Sequence, residues 1–496
     1  MKIRIYTTVI LLAILSQLFV ACEKDYLDVN TNPNAPTDVP GYVMFPAAVM
    51  STTGTFATRI GITTAMWSQH LTQGNTANQF RDIDKFNLNY DNFDAAWNEL
   101  YSGALNDYKT IIDFSENNED WSMFFMATIM KAYTYQYMVD LWDNIPYSEA
   151  CVKYYPVFDK GPAIYADLIA SIDNALSKTV TDLPGDIAKY DMVFGGKMDQ
   201  WKKFANTLKL KMYLRMYKAD DAAGNTLISG MLSQNLLDVN AGILSFVNAD
   251  NQRNPLNEYN FHGLNTGNNL VASNTMLLYL QENNDPRYRV FYQSVGDLEV
   301  DLPKNKWAGL NQGDFSNTSI KSGELSLMKD RPSDPCFYIS EAESYFLQAE
   351  AILRTGGDAQ AMYEKGIKAA LNQYSTADYA VSAFDVDAFV SSTYAYPSAG
   401  TAAEKLEAII QQKWVALYQG TNSTEAFIEF VRTGYPKVSA VNYDDDAYVK
   451  GQFVYPVNGV TSGKFPKKLP SSKEENVNNP NADDLVDAFQ PVWWNK

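Results

Sequence analysis

The chain has few of the residues on which metal, redox and nucleophilic sites depend. Its 496 residues include two histidines, His70 and His262, and three cysteines. No GxSxG, HExxH, CxxC or glycine-rich phosphate-binding motif occurs. Positive charge is also scarce, because 40 Lys and Arg stand against 58 Asp and Glu, a formal net charge of −18. We therefore predict no cofactor, no metal and no nucleic-acid partner, since nucleic-acid binding needs positive charge facing phosphate.

The start of the chain carries a short apolar run that is too broken to span a bilayer. Residues 9–15 are almost entirely apolar, follow a basic start, and lead through Ala21 to Cys22. This pattern predicts a secretory signal peptide over residues 1–21. A small residue before a cysteine is what lipoprotein processing requires, so we predict lipid attachment at Cys22. The alternative is an ordinary signal peptide with an incidental cysteine.

The remaining chain is long enough for one large domain or for two to three smaller ones. Residues 22–45 are rich in Asn, Asp and Pro and predict a lipidated tether. Residues 46–496 are predicted to form a single, mainly α-helical domain. Cys151 and Cys336 could pair or remain free thiols. Three consecutive acids at 444–446 lack the spacing of a calcium-binding loop and predict a solvated loop.

Apolar residues recur every three or four positions in two parts of the chain, which predicts amphipathic helices. These parts form a helical scaffold at about 90–220 and 340–420. The stretch at about 236–340 lacks sustained periodicity and predicts a loop-rich region, and about 434–496 predicts a C-terminal loop region. The predicted helices cover residues 93–112, 124–142, 161–176, 199–218, 340–354, 359–374 and 402–418.

Several motifs follow one another in an order that is specific to one family. They are residues 22–27 with 32–34, 141–150 (LWDNIPYSEA), 349–354 (AEAILR), and 410–417 (IQQKWVAL) followed by 425–436 and 492–494. Together they resemble the SusD/RagB family of outer-membrane nutrient-binding lipoproteins, and within it the SusD-like branch.

The resemblance implies a fold and a function. The fold would be a tetratricopeptide-like helical-hairpin scaffold with a loop-rich, strand-poor ligand-binding region. The protein would be lipid-anchored in the outer membrane, facing the outside of the cell. It would bind an oligosaccharide or another nutrient and deliver it to a SusC-like TonB-dependent transporter. The acids Glu23 and Asp25 beside Cys22 look like the signal that sends such lipoproteins to the outer leaflet.

A glycan binder needs aromatic rings that stack on sugar C–H surfaces, and planar polar groups that bond hydroxyls. It needs them on loops that face solvent. Two segments combine these residue types outside the clear helical stripes. The predicted ligand-binding residues are Trp67, Gln69, Gln73, Phe80 and Arg81 in the first segment, and Tyr259, Asn260, His262 and Trp307 in the second.

Two other classes of protein stay open at this point. A helical glycoside hydrolase would need a carboxylate pair, and candidates are Asp140 with Asp143, or Glu343 with Glu350. With 58 acids, such pairs are expected by chance, so we predict no catalytic residue and no enzyme. A structural or adhesive surface lipoprotein is the third class.

Overall fold

A computed structural model of the chain describes residues 39–264, 266–296, 306–321, 323–374, 378–379, 384–418 and 420–495. The predicted signal peptide and the lipid at Cys22 lie outside the described residues. Within those ranges, no helix combines the length and the apolar character needed to cross a membrane. From Gly41 onwards the chain packs as one unit.

The first helix starts earlier than the sequence indicates. Helix α1 begins at Gly41, so the predicted tether, 22–45, overlaps its first turn. The buried hydroxyls of Thr52 and Thr53 bond the hydroxyls of Tyr108 and Tyr338, which ties α1 to the core. The opening elements are α1 (Gly41–Thr55), a π-helical segment (Phe56–Ile60) and α2 (Gly61–Trp67).

The first part of the scaffold centres on a helix that is buried on every side. In α6 all residues are buried except Trp121 and Lys131, and Asp120 caps its start by accepting the Met123 N–H. The helices of this part are α3 (Arg81–Asp84), α4 (Asp94–Glu99), a π segment (Leu100–Leu105), α5 (Asn106–Asn117), α6 (Trp121–Trp142), α7 (Gly161–Ser177), α8 (Gly185–Ala188), α9 (Met198–Met216) and α10 (Ala222–Met231).

The second part contains the predicted helical hairpin, formed by α14 and α15. Gly366 allows the two helices to approach closely, because a Cβ there would lie 2.8 Å from the ring of Phe346. The helices of this part are α11 (Pro255–Asn257), a π segment (Glu258–Gly263), α12 (Asn274–Glu282), α13 (Tyr288–Phe291), α14 (Glu341–Arg354), α15 (Gln360–Asn372), α16 (Val386–Thr393), α17 (Ala402–Ala416), α18 (Asn422–Thr433), α19 (Lys473–Asn478) and a 3₁₀ turn (Trp493–Asn495).

The strands are short, and two of the three strand pairs join segments that are far apart in the sequence. They are β1 (Leu71–Gln73), β2 (Ile145–Pro146), β3 (Phe158–Asp159), β4 (Ala241–Ile243), β5 (Leu270–Ala272) and β6 (Cys336–Ile339). The antiparallel pairs are β1 with β5, β2 with β3, and β4 with β6. The predicted fold class, a helical-hairpin scaffold with a strand-poor region, is confirmed. Both Cys151 and Cys336 are free thiols.

The scaffold helices share a buried network of charged side chains. Arg215 of α9 lies 3.2 Å from Asp140 of α6, 2.7 Å from Glu425 and 3.0 Å from Glu429, both of α18. Its side chain is 1% exposed, so these carboxylates supply the compensation that a buried charge requires. The other members are Lys211, Glu343, Glu350, Lys413 and Arg432.

Candidate functional site

Four predicted ligand-binding residues of the first segment lie inside the protein. Trp67 ends α2 and its Nε1 donates to the Ile83 carbonyl oxygen at 3.3 Å. The side chains of Gln69, Gln73 and Phe80 are also buried. A ligand arriving from solvent cannot reach any of the four in this conformation, which corrects the expectation that they face solvent.

The buried glutamines hold distant loops together instead. The Gln69 amide donates to the Val454 carbonyl oxygen at 2.6 Å and accepts from the Val454 N–H at 3.0 Å. The hydroxyl of Thr275 donates to the same Gln69 oxygen at 2.6 Å. Gln73 accepts the Phe80 N–H through its side chain at 2.7 Å. These bonds satisfy buried backbone groups, so both residues support the site rather than line it.

The second segment is helical where the sequence predicts a loop. Asn260 lies in the π segment and is buried, whereas Tyr259 is half-buried and His262 is exposed. Asn257, which precedes the segment, donates through its amide to the Asp330 carbonyl oxygen at 3.0 Å. Ligand contact therefore remains open to Tyr259 and His262, and burial removes it from Asn260.

Arg81 and Trp307 are half-buried and stacked on neighbouring groups. The Arg81 guanidinium lies 5.4 Å from the centre of the Phe315 ring. The Arg289 guanidinium lies 4.9 Å from the Trp307 ring, whose Nε1 donates to the Tyr292 carbonyl oxygen at 3.1 Å. These contacts fix both side chains while leaving part of each accessible to solvent.

The first predicted segment meets the residues that precede β5 at the point where strands β1 and β5 end. The Gly74 N–H donates to the Asn269 carbonyl oxygen at 2.8 Å, directly after the β1–β5 ladder. Glycine is required there, because a Cβ would lie 2.2 Å from the Asn268 carbonyl oxygen. A groove of about 240 Å³ opens at this point, and we call it the strand-end groove. The polar residues among its described lining are Asn75, Thr76, Asn268, Gln293, Ser294 and Lys321.

The groove carries the polar groups that sugar hydroxyls need. Asn75 donates to the carbonyl oxygens of Asn317 and Ile320, both at 2.8 Å, which fixes the near wall. The side-chain amides of Asn268 and Gln293 bond to no other described residue. Each amide offers both a donor and an acceptor to a ligand.

None of the nine predicted residues lines this groove; their near neighbours in the sequence do. In the sequence, Gly74 and the asparagines that follow it are the features that could have indicated the part of the groove formed by residues 74–76. No sequence feature indicated Gln293, because it lies in a stretch without apolar periodicity.

Two buried titratable groups support the walls of this region. Burial lowers the pKa of His70 to about 3, although its hydrogen bond to the Trp414 carbonyl oxygen acts in the opposite direction. Burial raises the pKa of Asp84 to about 6. Asp84 accepts from the Thr72 hydroxyl at 2.7 Å and from the Gln73 N–H at 2.9 Å, so it fastens β1 to α3.

The carboxylate pairs considered for a hydrolase are committed to the core. Burial raises the pKa of Asp140 to about 6, which would suit a general acid. Asp140 is nevertheless 1% exposed and bonded to Arg215, and Glu343 and Glu350 are equally buried in ion pairs. Asp143 accepts the Trp493 N–H at 2.9 Å. A glycosidic bond cannot come between these groups.

The described residues also provide no obvious metal centre. Within the ranges given above, no group of three or more His, Cys, Asp or Glu side chains is placed to hold a metal ion. The acids at 444–446 are exposed, as predicted for a solvated loop.

Comparison with known proteins identifies the family. The SusD-like_2 family model, described as starch-binding and associating with the outer membrane, matches residues 33–456. The chain belongs to the SusD-like family. Because this family consists of binding proteins associated with the outer membrane, the prediction that the chain is a binding protein and not an enzyme is confirmed. None of the curated proteins compared with the chain matches it.

Solved structures of SusD-like proteins share the fold. A chitin-binding protein is 23% identical, with a TM-score of 0.71 over 92% of this chain and 99% of its own. A chitin-binding SusD homolog from Flavobacterium johnsoniae is 21% identical, with a TM-score of 0.71 over 92% and 98%. A SusD homolog from Bacteroides uniformis gives the same identity, TM-score and coverage.

Proposed function

We propose that this SusD-like protein is a lipid-anchored surface receptor that binds a neutral oligosaccharide. It then delivers that ligand to a SusC-like TonB-dependent transporter in the outer membrane. The observation that carries the proposal is the family match over residues 33–456, in a family described as starch-binding. The chitin-binding names of two structural relatives support the same ligand class.

We place ligand recognition in and around the strand-end groove. Its amides at Asn268 and Gln293 suit hydroxyl groups, and Lys321 is the only charged side chain among the described residues that line it. Of the residues predicted from the sequence, Arg81, Tyr259, His262 and Trp307 retain accessible surface. Affinity should be modest, because polar ligands and polar walls must both shed water before they bond.

The lipid at Cys22 and the transporter partner complete the proposal. Lipidation would hold the protein at a membrane surface without a spanning helix. A receptor held beside its transporter can release a weakly bound ligand into it, because closeness raises the effective concentration.

The binding test uses residues 23–496 and an array of neutral α- and β-linked glucans and chitin oligosaccharides. We expect binding to at least one class, and the Asn268→Ala/Gln293→Ala variant should bind it about tenfold more weakly, because two hydrogen bonds are lost. Gln234→Ala, an exposed amide after α10, is the matched control. Absence of binding to every oligosaccharide would overturn the proposal.

The delivery test uses the full-length protein in its own membranes. We expect the transporter to co-purify with the wild-type protein, and a Cys22→Ser variant to be lost from the membrane fraction. A Cys22→Ser protein that stays in the membrane and retains the transporter would contradict lipid anchoring at Cys22.

A further inference from the structure

A second cleft lies away from the strand-end groove, between the π segment at 100–105, the loop at 146–156 and the end of α19. Its volume is about 760 Å³, within the roughly 300–1,000 Å³ of typical small-molecule sites. Trp97 and Tyr101 line its floor, and Tyr154 and Tyr155 form one rim. We call it the tyrosine cleft.

The rim exposes aromatic rings that a monomeric core would normally cover. Tyr154 is 88% exposed and Tyr155 is 45% exposed, and their ring centres lie 4.6 Å apart in an edge-to-face arrangement. Val152 in the same loop is 68% exposed, and Val477 in α19 is 73% exposed. Large apolar groups gathered at one exposed place mark binding surfaces.

The backbone that carries these rings is fixed. The amide of Asn479 donates to the Pro156 carbonyl oxygen at 2.7 Å, and the amide of Asn481 donates to the Tyr155 carbonyl oxygen at 2.8 Å. Within the same loop, Glu149 accepts the Val157 N–H at 3.2 Å. The backbone of this rim is therefore held in place before any ligand arrives, which reduces the entropy lost on binding.

The chemistry of the lining favours a neutral polyhydroxylated ligand. Among the described residues that line it, one base, Lys153, and one acid, Glu475, carry charge, so a phosphorylated or strongly anionic ligand would find no cluster of cations there. The amides of Asn106 and Asn478 bond to no other described residue and can each donate and accept. Aromatic faces beside free amides are the combination that sugar rings require.

We propose that the tyrosine cleft is a second oligosaccharide-binding site, separate from the strand-end groove. The inference takes its ligand class from the proposed function. A second site on a fixed platform would hold another part of the same polymer, or a second chain, and raise the avidity of the receptor.

Cys151 provides a reporter for the test, because it lines the cleft while Cys336 is buried. In residues 23–496, alkylation of Cys151 by a maleimide is followed by mass spectrometry, with and without a saturating maltooligosaccharide or chitooligosaccharide. We expect one of them to stop labelling of Cys151 in the wild-type protein and in the Asn268→Ala/Gln293→Ala variant.

The Tyr154→Ala/Tyr155→Ala variant should lose that protection and show about tenfold weaker binding at one of two calorimetric sites. Val449→Ala, an exposed apolar residue elsewhere, is the control and should retain both.

A single calorimetric site with no protection of Cys151 would overturn the second site while leaving the proposed function intact. Protection by the transporter and by neither sugar would also overturn it, and would assign the cleft to a protein interface. Failure of all binding would instead overturn the proposed function, and this inference with it.

Discussion

The helical scaffold and the loop-rich region both bury polar side chains, but they bury different kinds for different purposes. The scaffold buries charges: Arg215, Lys211 and Lys413 reach carboxylates on neighbouring helices and are each 1% exposed. The loop region, taken here together with the loops around strand β1, buries amides such as Gln69, which bonds backbone groups of a loop far away in sequence. Helices satisfy their own backbone and loops cannot, so loops must recruit side chains to do it.

This difference supports our proposal that the groups lining the strand-end groove bind ligand. Its walls expose the amides that remain after the buried ones have satisfied the backbone. In the scaffold, most of the strongest polar groups are consumed by ion pairs between helices. The comparison predicts that substitutions in the buried ion-pair network of the scaffold change stability only, and that buried and exposed amides of the loop region separate into structural and binding roles.

The largest effect is expected at the scaffold network. Arg215→Met leaves Asp140, Glu425 and Glu429 buried without their shared cation. We expect the free energy of unfolding in urea at neutral pH to fall by about 3–5 kcal/mol. Lys450→Met, which removes an exposed partner of Glu282, should change it by less than about 0.5 kcal/mol. If both variants lost the same small free energy of unfolding, the buried network would contribute nothing to stability.

A smaller effect is expected at the buried amide that the sequence predicts to touch ligand. Gln69→Ala leaves the N–H and carbonyl of Val454 without partners. The free energy of unfolding should fall by about 2–3 kcal/mol, while oligosaccharide affinity measured below the unfolding transition stays unchanged. If Gln69→Ala kept its normal stability but lost oligosaccharide affinity, Gln69 would have to be a ligand-binding residue. Gln234→Ala is again the matched control.

The smallest effect concerns pH, and it comes from His70. Because its pKa is about 3 in the folded protein and about 6.5 when unfolded, the unfolded chain binds the extra proton as the pH falls between these values. The free energy of unfolding should therefore decrease as the pH decreases through this window, by up to about 1.4 kcal/mol per pH unit. Urea unfolding of His70→Gln at about pH 6 and pH 5 should show a slope that is shallower by that amount. His262→Gln is the matched removal of a histidine, and an identical slope in wild type and His70→Gln would contradict the assignment.

Much of the scaffold could be predicted because its helices follow one apolar period. Helix α6 was expected at 124–142 and spans Trp121–Trp142, and α9 was expected at 199–218 and spans Met198–Met216. Helix α1 was missed, because its buried face uses threonines that look polar in sequence. No helix was predicted at α18 either. Its buried face includes Glu425 and Glu429, and charged residues in a sequence normally indicate a solvent-exposed surface.

The site was harder to predict, because its contacts join residues that are far apart. Gln69 and Val454 are separated by 385 positions, and no local pattern announces their hydrogen bonds. A loop rich in amides looks the same in sequence whether its amides face solvent or the core. The first segment borders the strand-end groove, burial excludes five of the nine residues chosen in the two segments, and ligand contact by the other four stays a prediction.

Hydrogen exchange of residues 23–496, with and without an oligosaccharide selected on the array, tests most directly where the ligand binds. We predict that the ligand slows exchange at residues 74–76, 268 and 293–296, because bound sugar and the loops around it become ordered together. Exchange in helices α14 and α15 should not change. Slowing confined to those two helices, with the groove unaffected, would contradict the division between a supporting scaffold and a recognising loop region.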